Sequence, residues 1–96
     1  MSEIQTLVGS LSNDLFRISS LTHRGSKKAS AIFVQESKRW SVPLQNHQVP
    51  DYIKNIARDV SGASNEVSME QAEKYLMYAV LLQNYSLSLI KPPTNL

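Results

Sequence analysis

Ser88 and Lys91 stand three residues apart, a spacing at which a lysine amine can act as base for a serine nucleophile. The companion motifs of such a site are missing, so the pair reads as a polar helix end. His23 and His47 are the two imidazoles. Neither lies three or four residues from a second ligand on a helix, which is how helical zinc and di-iron sites gather their donors. Gly25-Ser26-Lys27 matches only the last residues of a phosphate loop. Gly9, Gly25 and Gly62 lie too far apart in the chain to let backbone amides cradle an anion. Glu70 and Glu73 open a helix, where carboxylates complement the dipole, and nothing near them suggests the burial that tunes a general acid–base pair. With no cysteine in 96 residues there is no thiol nucleophile, thiolate ligand or disulfide. The chain is therefore expected to be no enzyme and to hold no metal or cofactor, and no small-molecule substrate is evident.

The charged residues offer a different chemistry. The net charge is only +2, but Arg24, Lys27, Lys28, Lys38, Arg39, Lys54 and Arg58 face only Glu36 and Asp51 between residues 24 and 58. Arg24, Lys27, Lys28, Lys38 and Arg39 beside Trp40 combine cations that can track phosphates with a ring that can stack a base. Nucleic-acid binding through these six residues is the alternative function. A faint helix-turn-helix order also runs from Ile56 to Ser68, with an alanine in the first helix, Gly62 at the turn and a serine opening the second. Its turn is long, and its second helix begins with acids where it should meet phosphate.

A third group is built for contact. Tyr75, Tyr78, Leu82, Tyr85 and Leu89 recur at helical spacing. Tyrosine suits interfaces because a large apolar ring carries a polar tip. A second stripe, Met69, Ala72, Leu76, Ala79, Val80, Gln83, Leu87 and Ile90, occupies another side of the same helix. A helix apolar on two faces must be covered twice, either at the centre of a bundle or at a subunit interface.

Four segments must position these groups. Ile4, Leu7, Val8, Leu11, Leu15 and Ile18 mark a helix over about 3–22, with a possible break at Gly9 and a stop at Gly25. For residues 26–42 a helix with Ala29, Ile32, Phe33, Glu36 and Trp40 on one face is favoured. The β-favouring runs Ile32-Phe33-Val34 and Trp40-Ser41-Val42 keep a small hairpin at about 31–42 as the α+β alternative. Pro43 closes that element. Pro50 and Asp51 open a short helix whose apolar face is Ile53, Ile56, Ala57 and Val60, and Gly62 suits a left-handed cap at its end. Ser68-Met-Glu-Gln71 is a capping box, and the helix after it continues to about Ile90, ahead of Pro92-Pro93.

The expected fold is thus an all-α bundle of three or four helices with the Ser68–Ile90 helix at its centre. It forms one domain over 1–91, followed by a tail at 92–96. The longest apolar run, Tyr75 to Leu82, is far short of the roughly 20 residues that span a bilayer. No secretory signal is visible, so no membrane partner and a cytoplasmic location are expected. The expected function is a non-enzymatic protein–protein interaction or assembly module, a homo-oligomer or the small subunit of a larger complex. Its partner is itself or another protein, reached through Tyr75, Tyr78, Leu82, Tyr85 and Leu89.

Overall fold

In the computed structural model, which describes residues 2–90, four helices carry the chain: α1 (Glu3–His23), α2 (Lys27–Leu44), α3 (Asp51–Ser61) and α4 (Met69–Ser88). No strand occurs among the described residues. α1 packs against both α2 and α4, and α2 packs against α3. The four-helix architecture is as expected, while the helices that meet two neighbours are α1 and α2 rather than α4, and α1 has the more extensive packing.

The reason lies in α1's own residues. Of the expected stripe, Leu7, Val8, Leu11, Leu15 and Ile18 are buried and Ile4 is partly buried, and Ser12, Asp14 and Ser19 are buried beside them. These short polar residues widen the buried arc of α1 enough for two neighbours. Gly9 does not break the helix, and Ser2 caps it by accepting the Gln5 amide at 3.1 Å. The turn into α2 needs Gly25, whose φ of +79° lies in the left-handed region that only glycine enters freely.

α2 is continuous, so the hairpin at 31–42 is not formed, and its inward face differs from the expected one. Ser30, Val34, Ser37, Ser41 and Leu44 are buried, while Ile32 is 67% exposed. Serine can line a helix interface because its hydroxyl is satisfied locally: Ser37 Oγ donates to the Val34 carbonyl at 2.6 Å. Pro43 does not end the element early. It sits in the last turn, and α2 closes one residue later at Leu44.

α3 buries the four residues expected, Ile53, Ile56, Ala57 and Val60. It is joined to α2 by a polar cluster in which the Ser41 and Ser61 hydroxyls lie 2.9 Å apart and Gln45 Nε2 donates to Ser61 Oγ at 2.8 Å. Gly62 caps α3 with φ −94°, so the left-handed cap expected there is not used. The capping box of α4 is present: Ser68 Oγ accepts the Gln71 amide at 3.1 Å, and Gln71 Oε1 accepts the Ser68 amide at 3.1 Å. No helix among the described residues is long and apolar enough to cross a membrane.

Candidate functional site

α4 divides cleanly into two sides. Ala72, Tyr75, Ala79 and Leu82 are buried, and Tyr78 and Tyr85 are partly buried against the same core. The side chains of this face are anchored one by one. Tyr78 Oη donates to Asp59 Oδ2 at 2.7 Å, and Lys74 Nζ reaches the same oxygen at 3.1 Å. The ring of Tyr85 meets Tyr52 of α3 edge-on, with centroids 6.4 Å apart. Burial, then the Asp59 hydrogen bond, pushes the Tyr78 hydroxyl up to about 12. The same hydrogen bond, assisted by Lys74, holds the Asp59 carboxyl below its ordinary value. The stripe that the sequence offers for a partner is therefore turned toward its own bundle. Tyr75 and Leu82 lie in the core, and Leu89, which caps the helix, is half-buried.

The other side of α4 is bare. Met69, Leu76, Met77, Val80, Leu81, Leu87 and Ile90 are all exposed, Leu87 to 58%. The charged residues on this side are Glu70 and Glu73 near the helix start, while Lys74 turns away to Asp59. Single exposed apolar residues are ordinary, but a contiguous patch of several hundred Å² marks an interaction surface. The second stripe read from the sequence, the one beginning at Met69, contains five of these seven residues. Met77 and Leu81 belong to neither stripe, and the signal for them is a helix too apolar around its circumference for one covered face.

The basic residues differ in how far they are engaged by the rest of the chain. Arg24, Lys27 and Lys28 are exposed around the α1–α2 turn. Lys27 and Lys28 line an open depression of about 540 Å³ together with Thr22, Glu66, Ser68 and Gln71. Lys38 is committed elsewhere, its Nζ donating to the Ala63 carbonyl at 3.0 Å. Arg39 pairs with Glu36 at 3.1 Å, and its guanidinium covers the Trp40 ring at 5.0 Å. Trp40 is tied inward, with Nε1 donating to Asp14 Oδ2 at 2.9 Å.

Asp14, which the sequence reading passes over, is buried in α1 and is the partner that fixes Trp40. Burial raises its pKa above the ordinary carboxyl value of 3.8, against the opposing effect of the Trp40 hydrogen bond, with Glu36 adding to the rise. A raised folded-state value means that Asp14 contributes stability below 3.8 that is lost as pH rises through the folded value. Asp59, with its lowered value, works the other way: its contribution is present above 3.8 and is lost as pH falls through the folded value. Asp14→Asn keeps an oxygen for Trp40 and removes the desolvated charge. Urea unfolding at pH 4 and pH 7 is expected to show a gain relative to the wild type at pH 7 that shrinks at pH 4. Asp14→Ala strands the indole donor, at a cost of about 1–2 kcal/mol, and because it lacks the same titrating carboxyl it should compare less well with the wild type at pH 4 than at pH 7.

The two histidines stay apart. His23 Nδ1 lies 2.7 Å from the Ser19 carbonyl of its own helix, and His47 Nε2 lies 3.6 Å from Glu3. No group of three or more histidine, aspartate or glutamate side chains converges as a metal site among the described residues. Ser88 Oγ donates to the Tyr85 carbonyl at 2.6 Å. Lys91 and the tail at 92–96 lie outside the described residues. Comparison of the chain with protein-family models, with curated proteins and with solved structures finds no match.

Proposed function

We propose that this protein is a non-enzymatic assembly module whose docking face is the outer side of α4. One observation carries the reading: six large apolar side chains stand exposed along one helix, with Ile90 just past its end, while the opposite side of the helix is already packed. Leaving this much apolar surface in water forgoes about 25 cal/mol for every Å² that a partner could cover. The inner tyrosine face supports the role from behind. Anchored on Asp59, Lys74 and Tyr52, it holds α4 in one position, and a rigid docking surface loses little entropy on association.

Site-specific photo-crosslinking in the cell the protein comes from tests this reading. A photoreactive residue at Met77 should yield a discrete crosslinked protein species. The same group at Ile32, which is more exposed but sits on α2, should yield none. Absence of any product at Met77, with the protein folded and abundant, overturns the proposal.

A further inference from the structure

Resting on that reading of α4, we infer that the occupant of its free face is the same face of a second copy, running antiparallel. Met69, Glu73, Leu76, Val80, Gln83 and Leu87 are all exposed, and they follow one another at steps of four, three, four, three and four. That is the 3.5-residue repeat of a coiled-coil seam, and it defines which residues of a partner helix can meet which. Two positions in the seam are polar, Glu73 and Gln83, and they decide the orientation.

Parallel pairing sets each seam residue opposite itself. The two Glu73 carboxylates then face each other in a surface being stripped of water, which costs affinity. An antiparallel pair turned about an axis midway between Leu76 and Val80 gives a different set of neighbours. Met69 meets Leu87, Leu76 meets Val80, and Glu73 meets Gln83, each contact occurring twice by symmetry. Every apolar residue of the seam then has an apolar partner. The carboxylate of Glu73, an acceptor, faces an amide that can donate. Beside the seam the same turn brings Met77 close to its own copy and Glu70 toward Asn84. Sliding the antiparallel pair to its next allowed register sets Glu73 against Ile90 and Gln83 against Val80, which leaves both polar groups facing apolar partners. A polar pair inside an apolar seam fixes register and orientation in this way. The seam runs over 19 residues, about 28 Å at 1.5 Å rise per residue.

The absence of cysteine makes the geometry directly readable, because introduced cysteines have no competitors. Sedimentation equilibrium of the purified full chain should show the mass rising with concentration from 10.8 kDa to twice that value. Val80→Glu, at an exposed position, should remain at the single-chain mass with an unchanged helical spectrum and with a melting temperature that matches that of the wild type at concentrations where the wild type is a single chain. Under mild oxidation, neither Met69→Cys nor Leu87→Cys chains should link among themselves, since two copies of residue 69 lie about 27 Å apart along the pair. A mixture of the two variants should give the disulfide dimer, because opposed seam positions come within the short Cα separation that a disulfide requires. Self-linking of Met69→Cys establishes parallel pairing and overturns the inference. A doubled mass without the mixed link also overturns it, as does a monomer at every concentration. In those last cases a crosslink from Met77 to a different protein keeps the docking face and removes only the self-pairing. No crosslink at all removes both.

Discussion

Tyr75→Glu is expected to unfold the domain rather than to disperse an assembly. Tyr75 is 3% exposed in the core between α4 and its neighbours. Its burial, with some help from Asp59, already raises its own pKa, which shows how poorly the site tolerates a negative charge. Losing the ring removes the packing of a buried aromatic, about 3–5 kcal/mol. The carboxylate must then either ionise in an apolar site or take up a proton, which adds to the cost. A domain of this size has a total stability on the order of 5–15 kcal/mol, so the loss is a large part of the whole. Circular dichroism in increasing urea should show a midpoint shifted far toward zero, or no folded baseline. Leu81→Glu, six residues along the same helix but on its free side, should leave the midpoint within about 0.5 kcal/mol of the wild type. If the two variants behave alike, the division of α4 into a core face and a free face is wrong.

That division marks where the sequence is legible and where it is not. Amphipathic spacing identifies α1, α3 and α4 because each buries a periodic stripe of apolar residues, and the capping box at Ser68 fixes the start of α4 to the residue. The two-sided apolarity of α4 is also plain in the sequence. Which side goes inward is not, because both stripes are comparably apolar. The choice is made by α3, whose Asp59 and Tyr52 supply partners for the polar tip of Tyr78 and the ring of Tyr85. That pairing depends on tertiary placement, which local periodicity does not contain. α2 is hard to read for a related reason. A face of Ser30, Ser37 and Ser41 looks solvent-exposed to any scale that counts hydroxyls as polar. Once bonded to a carbonyl or to another hydroxyl, serine packs as a small residue. The same blindness applies to Asp14, an acid whose role is to receive the Trp40 indole. The basic residues between 24 and 58 are a cluster in sequence, and what periodicity does not contain is that Lys38, Arg39 and Trp40 are already engaged with Ala63, Glu36 and Asp14.

Fourteen of the 96 residues are serine, and their small size has a consequence for α4 that a second large effect should expose. Where α1 and α4 cross, Ser12 Oγ donates to the Ala79 carbonyl at 2.7 Å, a side chain bonding directly to the backbone of the facing helix. Ser12 and Ala79 are both buried, Gly9 lies beside Ser86, and Ala72, seven residues before Ala79, is buried as well. The two helices approach closely because nothing bulky stands between them. Ala79→Leu places three more carbons in that gap. Either the new side chain strains against α1, or α4 moves outward and gives up the Ser12 bond together with part of the Tyr75 and Leu82 packing. The expected cost is about 3 kcal/mol, at the upper end for overpacking. Ser12→Ala removes the hydroxyl but preserves the spacing, and should cost about 1 kcal/mol. Urea unfolding of both variants separates the two contributions. If Ser12→Ala proves as damaging as Ala79→Leu, the hydrogen bond holds the crossing. If the leucine dominates, steric fit positions α4, and any displacement of that helix will also re-aim the apolar seam on its far side. In that case Ala79→Leu chains that remain folded should self-associate more weakly than wild type, even though residue 79 touches no partner.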